Sequence, residues 1–435
     1  MKSIFRHVFL FAIMAGLIVL VGQIQSWNVA LSILNLCLIS AIMALGVNMQ
    51  WGYAGLFNVG VMGFAALGGL AAMLISMPPV HEAIAAGGKG VLFSLLILIA
   101  IIVLSVFIYR KISFPPVRMT LVVIIAIVGF FLMRSVLDPA TAAIEKVSPA
   151  ATGYLGGFGL PIIIAWPIGG ILAGAVAWLV GKITLGLRTD YLAIATLGIS
   201  EIIVAVLKHE DWMTRGVKNV TGLPRPVPYE VNLQNADWFL SLAGRFGADP
   251  VTFSSLFVKL CYAALFAVVL LIVLYLSEKA LRSPWGRMMR AIRDNEVSAS
   301  AMGKNIKARH LQVFILGSIV VGIAGAMLTT LDGQLTPTAY QPLRFTFLIW
   351  VMVIVGGSGN NWGAVLGGFV IWFFWIEAEP LGLWLMDVLT SGMDSESALR
   401  AHLLESAAHM RLMTMGLILL LTLRFSPRGL LPERS

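Results

Sequence analysis

Apolar runs long enough to cross a lipid bilayer recur from one end of this chain to the other. A spanning helix needs about 20 mostly apolar residues. The sequence offers twelve such runs: 8–24, 29–47, 59–77, 91–109, 119–135, 162–181, 190–207, 256–277, 311–331, 344–357, 364–387 and 412–424. We predict ten to twelve spans, because the shortest runs also suit re-entrant or interfacial segments.

The spans are predicted to be helices. Lipid offers no hydrogen-bond partner, so each backbone group must be satisfied within its own segment or in a closed barrel. A barrel strand would alternate over roughly ten residues, whereas 91–109 is apolar on every face. Only 12% of the residues are charged, against about 25% in soluble proteins. We therefore predict an all-α polytopic integral membrane protein, a single transmembrane domain over 1–435 with some broken or re-entrant helices.

Lys and Arg concentrate in cytoplasmic loops, so their distribution predicts orientation. With the N-terminus inside and twelve alternating spans, the inside segments hold 18 of the 30 Lys and Arg but only five of the 21 acidic residues. Both termini and 278–310 are then cytoplasmic, and 208–255 is an external segment. The net charge of +9 reflects this topology rather than a nucleic-acid partner. The first apolar run lacks an A-x-A-like cleavage site, so it is expected to be a retained helix.

Several kinds of chemistry have no motif in this sequence. There is no phosphate-binding loop, no H-E-x-x-H helix and no nucleophile elbow. Cys37 and Cys261 both lie in candidate spans, which favours neither a disulfide framework nor a metal site. We predict no catalytic, metal or cofactor-binding residues. Glu201 is an acid well inside a span, a narrow basis for ion coupling.

Segment 278–310 carries an amphipathic pattern. Ser283 is suited to cap a helix that begins at Pro284, and Gly303 suits its end. Apolar residues recur at helical spacing, with arginines mostly off their stripe: Trp285, Met288, Met289, Ile292 and Ala299 against Arg287, Arg290 and Arg293. We predict one cytoplasmic helix over 284–302. It would either dock into a groove on another protein or lie on an anionic membrane surface.

Two other groups of residues are candidates for a solute path and for helix packing. The stretches WGYAG and GGSGNNWG are too rich in Gly and Asn for ordinary spans, and broken backbone is tolerated where it lines a cavity. The path candidates are Asn48, Gln50, Asn58, Thr196, Ser200 and Glu201; the alternative is that they are structural. The small-x-x-x-small pairs Gly170/Gly174 and Gly363/Gly367 allow close helix packing.

The cytoplasmic segment resembles the coupling loop of ABC importer permeases, which carries an E-A-A-x-x-x-G pattern. Val297-Ser298-Ala299 occupy the E-A-A positions, with Gly303 in register and Glu296 one place early. The stretches 48–69, 186–203, 291–328, 347–371 and 423–433 resemble motifs of the permease family for branched-chain amino acids. The resemblance covers most of 35–435, and the extra N-terminal helices in 1–47 are similar to its M-type subunit.

The resemblance implies an importer subunit of the bacterial inner membrane that hydrolyses nothing itself. Its expected partners are an H-type permease subunit, two ATP-binding cassette subunits that use ATP, and a periplasmic or lipid-anchored binding protein that meets 208–255. The ATPases would engage Trp285, Arg287, Met288, Met289, Ile292, Glu296, Ala299 and Gly303. The expected substrates are leucine, isoleucine and valine. Alternatives are urea, short-chain amides or other amino acids. An ion-coupled secondary transporter or a membrane-embedded enzyme would be a different class.

Overall fold

The computed structural model describes residues 2–149, 152–393 and 397–433. The first half contains α1 (Lys2–Ile24), α2 (Trp27–Val47), α3 (Val61–Ser76), α4 (His81–Ala83), α5 (Lys89–Lys111), α6 (Pro115–Glu145), α7 (Ile162–Thr184) and α8 (Thr189–His209). A π-helical segment, Asn48–Gly52, continues α2, and a second one, Ile84–Gly88, joins α4 to α5.

The second half begins with short elements on the predicted outer side: α9 (Asp211–Thr214), β1 (Val220–Thr221), α10 (Glu230–Gln234) and α11 (Asp237–Arg245). It continues with α12 (Pro250–Arg282), α13 (Pro284–Asp294), α14 (Glu296–Ala301), α15 (Ile306–Asp332), β2 (Gln334–Leu335), α16 (Pro342–Gly356), α17 (Asn361–Leu389), α18 (Ala398–Ser406) and α19 (Met410–Phe425). Single 3-10 turns lie at Gly216–Lys218, Pro337–Ala339 and Ala407–His409.

The prediction of an all-α polytopic membrane protein is confirmed. Within the described ranges, ten helices are long and apolar enough to cross a membrane, and α3 and α16 are shorter apolar helices. Each of the twelve predicted runs coincides with one of these helices. Several helices extend beyond their apolar runs; α6, for instance, covers 31 residues, because helix continues into polar ends that the hydropathy pattern does not register.

The centre of the bundle consists of α2, α3, α7, α15, α16 and α17, which pack on one another through small residues. At Gly170 of α7, a Cβ would lie 3.0 Å from the carbonyl oxygen of Ile319 in α15. At Gly363 of α17, a Cβ would lie 2.7 Å from the carbonyl oxygen of Gly356. Gly174 and Gly367 stand one turn further along the same two crossings. Glycine is therefore what allows these backbones to approach.

The two N-terminal helices differ in position. Helix α2 is buried along its second half and packs against α12, α15 and α17. Helix α1 rests on the outside of α2 and α17. Residues 1–47 are thus not a uniform extra layer: α1 is peripheral, whereas α2 belongs to the core.

Helices α5 and α6 form a hairpin at the edge of the bundle. They pack mainly on each other, and most of their apolar side chains are exposed. The hairpin meets the rest of the chain near its predicted outer end, where α6 contacts α9 and the Val80 N–H donates to the Leu155 carbonyl at 3.0 Å. Lipid is the natural solvent for such a surface.

The external segment is joined to the end of α15. Strands β1 and β2 pair antiparallel, with Val220 opposite Leu335 and Thr221 opposite Gln334. The Leu223 N–H also donates to the Gly333 carbonyl at 3.1 Å. The loop after α15 is therefore fixed against 208–255.

Candidate functional site

The cytoplasmic segment contains two helices rather than the single helix predicted over 284–302. Asn295 is extended (φ −155°, ψ 96°) and separates α13 from α14. Its side-chain oxygen accepts a hydrogen bond from the Ser298 N–H at 2.9 Å. Asn competes with the helical backbone for hydrogen bonds and so favours caps over helix interiors, which is the reason for the break. Ser283 caps α13 as predicted.

The apolar stripe of α13 faces the protein itself. Met289 and Ile292 are among the largest fully buried side chains of the chain, and Ala299 is buried as well. Trp285 and Met288 are half-buried and pack against the same core. The expectation that this stripe docks on another protein is therefore wrong for Met289 and Ile292, because their apolar surface is already covered by the chain's own helices.

A different set of residues in this segment is exposed on the surface. Arg287, Glu296 and Gly303 are exposed, so they remain available to a partner. The large apolar side chains of Val297 and Met302 are 80% and 79% exposed. Their exposure was not predictable from the sequence pattern, because a continuous helix over 284–302 does not anticipate the change of direction at Asn295.

Arg293 connects α13 to two other parts of the chain. Its guanidinium donates to the Gly52 carbonyl, at the end of the π-helical segment. It also forms ion pairs with Glu433 at 2.9 Å and with Asp294 at 3.0 Å. Burial disfavours the charged guanidinium, but these carboxylates outweigh burial and raise the pKa of Arg293 above its ordinary value. Arg293 is therefore a permanent cation at the junction.

The C-terminal tail completes this junction. Leu430 and Leu431 donate their N–H groups to the carbonyls of Val355 and Gly356, each at 2.8 Å. The Asn360 side chain donates to the Leu431 and Pro432 carbonyls at 3.2 Å. These bonds hold Glu433 opposite Arg293. The adjacent groove has a volume of about 780 Å³ and carries Arg287, Arg290, Arg293, Arg428, Asp294 and Glu433, so it is basic on balance.

Three predicted path residues take part in two groups of buried polar contacts inside the bundle, which together are called the polar network below. Asn48 donates to the Asn361 side chain at 3.1 Å and accepts from the Gly359 N–H at 2.9 Å. Asn58 donates to Gln50 at 2.8 Å, and Gln50 in turn donates to the Phe314 carbonyl at 2.9 Å. Every amide group of these side chains is satisfied internally, as buried polar groups usually are.

This network ties the two Gly- and Asn-rich segments together on the predicted cytoplasmic side. Asn361 continues it to Glu278 of α12 at 3.2 Å. Burial and the nearby carboxylates of Glu278 and Glu433 raise the pKa of the Tyr53 phenol, so Tyr53 is neutral. The Trp350 indole donates to the Asn58 carbonyl at 3.0 Å. Its ring makes a tilted contact with Trp51 and an edge-on contact with Phe57.

The α8 candidates are separated by the structure. Thr196 accepts from the Val59 N–H at 3.1 Å, and Ser200 is buried at Gly63 with an unpaired hydroxyl. Glu201 is exposed on another side of α8. The lining of a solute path by these residues stays a prediction.

Two acidic residues, one inside and one at the end of an apolar helix, were not among the site residues predicted from the sequence. Glu377 is buried in α17 and accepts from the Gln25 side chain at 2.7 Å. Asp332 ends α15 and lines an internal cavity. The signal for Glu377 was available, because it lies inside the predicted span 364–387 and carboxylates are costly at such depth.

The family described as "Branched-chain amino acid transport system / permease component" matches residues 123–423. The high-affinity branched-chain amino acid transport system permease protein LivM of Escherichia coli is 28% identical over 222 residues, 49% of this chain and 50% of that protein. The probable LivM of Methanocaldococcus jannaschii is 25% identical over 300 residues, 68% of this chain and 74% of that protein.

The xylose transport system permease protein XylH of Escherichia coli is also similar, at 23% identity over 294 residues, 65% of this chain and 60% of that protein. The match spans about half the length of the Escherichia coli LivM. No solved structure matches the chain.

The ten helices of spanning length in the described ranges define a polytopic membrane protein. Since the family match covers well over half of its length, this chain belongs to the branched-chain amino acid transport permease family of ABC transporters.

Proposed function

We propose that this chain is the M-type membrane subunit of a bacterial importer for leucine, isoleucine and valine. It would contribute to the solute path beside an H-type permease subunit in the inner membrane, with both termini cytoplasmic. Two ATP-binding cassette subunits would hydrolyse ATP, and a periplasmic or lipid-anchored binding protein would deliver the substrate. The chain itself would bind no cofactor.

The observation that carries this proposal is the junction at Arg293. Helices α13 and α14 lie on the predicted cytoplasmic side, and the Arg293 guanidinium bonds directly to the end of the π-helical segment that continues α2 and to the C-terminal tail. Coupling between distant sites travels through contiguous packed and hydrogen-bonded groups. A partner that moves α14 would therefore also move α13. Arg293 would pass this movement to the polar network at Asn48 through its bond to the Gly52 carbonyl.

Uptake measurements test the class and the substrate together. We expect a strain that lacks this subunit, and that has no redundant importer, to lose high-affinity uptake of leucine, isoleucine and valine. A plasmid copy should restore it only when the ATPase subunits are present. The same panel should include urea, short-chain amides, other amino acids and xylose, the last because of the similarity to XylH.

Three results would contradict the proposal. Unchanged uptake of all three amino acids would leave another substrate of the panel in their place. Transport by the purified chain alone, driven by an ion gradient, would indicate a secondary transporter instead. Turnover of a substrate by the purified chain would indicate an enzyme.

A further inference from the structure

A cavity of about 250 Å³ lies inside the bundle, apart from the Arg293 junction. Its wall is formed by α2, α15, α16 and α17 together with the loop after α15, and Met62 of α3 contributes one side chain. The loop residues Gln334, Thr336, Ala339 and Tyr340 stand at its predicted outer end. Asp332, also at this end, is exposed, so solvent reaches the cavity from the side where an importer meets its substrate.

Most of the cavity wall is aliphatic or aromatic. The apolar side chains come from α2, α15 and α16 at helical spacing: Leu36, Ile39, Met43, Leu328, Phe345, Leu348, Ile349 and Met352. Such a wall favours a ligand with an apolar body, because each buried apolar group leaves water at a gain of roughly 25 cal/mol per Å². Methionine side chains adapt to ligands of slightly different shape.

A single charge stands among the residues that line this wall. The Asp332 carboxylate has neither an ion pair nor a side-chain hydrogen bond within the part of the chain that the structure describes. Because Asp332 is exposed at the mouth of the cavity, water can hydrate its carboxylate while the cavity is empty. The carboxylate is then free to pair with a cationic group that a ligand brings into the cavity.

Neutral polar groups around the cavity also lack partners. The Thr336 hydroxyl and the Trp372 indole N–H are buried without a hydrogen bond among the described residues. Buried polar atoms of this kind are uncommon in native proteins, and each exception needs an explanation. An indole N–H can only donate, so Trp372 requires an acceptor, such as a carboxylate.

The size of the cavity limits the ligand. Its volume equals that of roughly eight water molecules at about 30 Å³ each, and it lies below the roughly 300–1,000 Å³ of pockets for drug-sized ligands. A free amino acid fits this space. One carboxylate, unpaired donors and an apolar wall match an ammonium group, a carboxylate and a branched aliphatic side chain.

We propose that this cavity binds an amino acid with an apolar side chain, and that Asp332 pairs with the ammonium group of this ligand. The site rests on the proposed function for its particular ligands, leucine, isoleucine and valine. Strand β2 pairs with β1 of the external segment, so the mouth of the cavity is attached to the surface where a binding protein is expected to release its cargo. Helix α16 forms one wall of the cavity and also carries Trp350, whose indole donates to the Asn58 carbonyl in the polar network.

Direct binding of radiolabelled leucine tests this site. The measurement uses the assembled membrane complex in nanodiscs, without the soluble binding protein and without ATP. We expect saturable binding that Asp332→Asn weakens about tenfold to a hundredfold, the range for loss of a hydrogen bond to a charged group. Asp138→Asn is the matched control, because Asp138 lies exposed on the α5–α6 hairpin in an i,i+4 ion pair.

A second pair of variants tests whether leucine occupies the volume of the cavity, rather than whether it pairs with the Asp332 carboxylate. Ile349→Trp would fill the cavity and should abolish leucine binding. Leu96→Trp introduces the same side chain on the exposed surface of α5 and should bind leucine as the wild type does. Comparable yield and size-exclusion profiles of all four variants show that binding is compared between folded complexes.

Competition identifies the recognised group. Leucine amide, which keeps the ammonium group, should displace leucine from the wild type, whereas 4-methylpentanoate, which lacks it, should not. Equal competition by both compounds, or by simple fatty acids, would overturn the proposal and indicate a pocket for lipid chains. Wild-type leucine affinity in a folded Asp332→Asn complex would also overturn it.

The outcomes separate this site from the proposed function. An importer that takes up leucine in cells but shows no Asp332-dependent binding would retain the proposed function and lose the site. A complex that binds another apolar amine at Asp332 but transports none of the three amino acids would retain the ammonium site and lose the proposed function.

Discussion

Arg293 makes contacts that few other side chains could reproduce. A guanidinium offers several donors in a fixed planar arrangement, and here it serves the Gly52 carbonyl, Glu433 and Asp294 at once. Lysine concentrates its charge at one point and does not form such a fork. The residue therefore joins α13, the end of α2 and the C-terminal tail.

We expect Arg293→Lys to reduce transport per ATP hydrolysed several-fold while the ATPase subunits still bind. Loss of one or two hydrogen bonds to a charged group corresponds to about 1.5–3 kcal/mol each, and the half-buried setting of Arg293 places the effect toward the lower end. The measurement is leucine uptake and ATP hydrolysis in proteoliposomes, compared at equal amounts of assembled complex.

The matched control is Arg282→Lys. Arg282 also pairs with an acid, Glu278, but its side chain is 80% exposed, and exposed ion pairs contribute under about 1 kcal/mol. A double variant with Glu433→Gln adds a test, because residues that share an ion pair give non-additive effects. Additive losses from Arg293→Lys and Glu433→Gln would show that the pair does not act as one unit.

At the scale of elements, α14 and its C-cap carry two exposed apolar side chains, Val297 and Met302, on the predicted cytoplasmic side. We expect Val297→Ala with Met302→Ala to reduce co-purification of the ATPase at least about tenfold. Burial of one large apolar side chain contributes roughly 1.5–3 kcal/mol, and both side chains are almost fully exposed in this chain. A pull-down of the ATPase, normalised to the amount of permease, measures the change.

Two variants define how specific that effect is. Phe114→Ala removes another exposed apolar side chain, between α5 and α6, and should leave ATPase binding unchanged. Met289→Ala removes a fully buried side chain and should lower the free energy of unfolding by about 2–5 kcal/mol. The amount of ATPase bound per folded permease should stay the same. Full ATPase binding by the α14 double variant would favour a membrane-surface role for this segment.

The positions of the helices were predictable from the sequence. Whether an apolar helix face packs on the chain itself or faces a partner was not. Ser283, Pro284 and the apolar spacing of Met289 and Ile292 correctly predicted α13. The pattern alone does not distinguish a stripe that packs inward from one that awaits a partner, since both bury the same side chains. Asn295 was the overlooked local signal, because an Asn inside a proposed helix is a candidate cap.

For the molecule as a whole, the unequal distribution of Lys and Arg predicts orientation. We expect Lys304→Cys to react with a membrane-impermeant maleimide only after cells are opened, and Val231→Cys to react in intact cells. Both positions are exposed. The test uses a Cys261→Ser background, since Cys37 is fully buried. Labelling of Lys304→Cys from outside would reverse the topology.

Sequence patterns found the twelve apolar helices but not what the interior would contain. Asn48, Gln50 and Asn58 were chosen because they are polar, and the structure satisfies each of them with another part of the chain. Asp332, at the very end of a predicted span, attracted no notice because a terminal acid looks like an interfacial one. Only the structure shows that Asp332 lies at a cavity beside four helices, and that no side chain among the described residues pairs with it.

The hairpin of α5 and α6 affects how the protein fits into bilayers of different thickness. Helix α6 has 31 residues and is roughly 46 Å long at about 1.5 Å per residue, against a hydrocarbon layer of about 30 Å. A helix longer than the layer tilts, or protrudes. Because the hairpin contacts the bundle chiefly near one end, its tilt can follow the acyl-chain length of the surrounding lipid while the glycine crossings of the central helices keep their spacing.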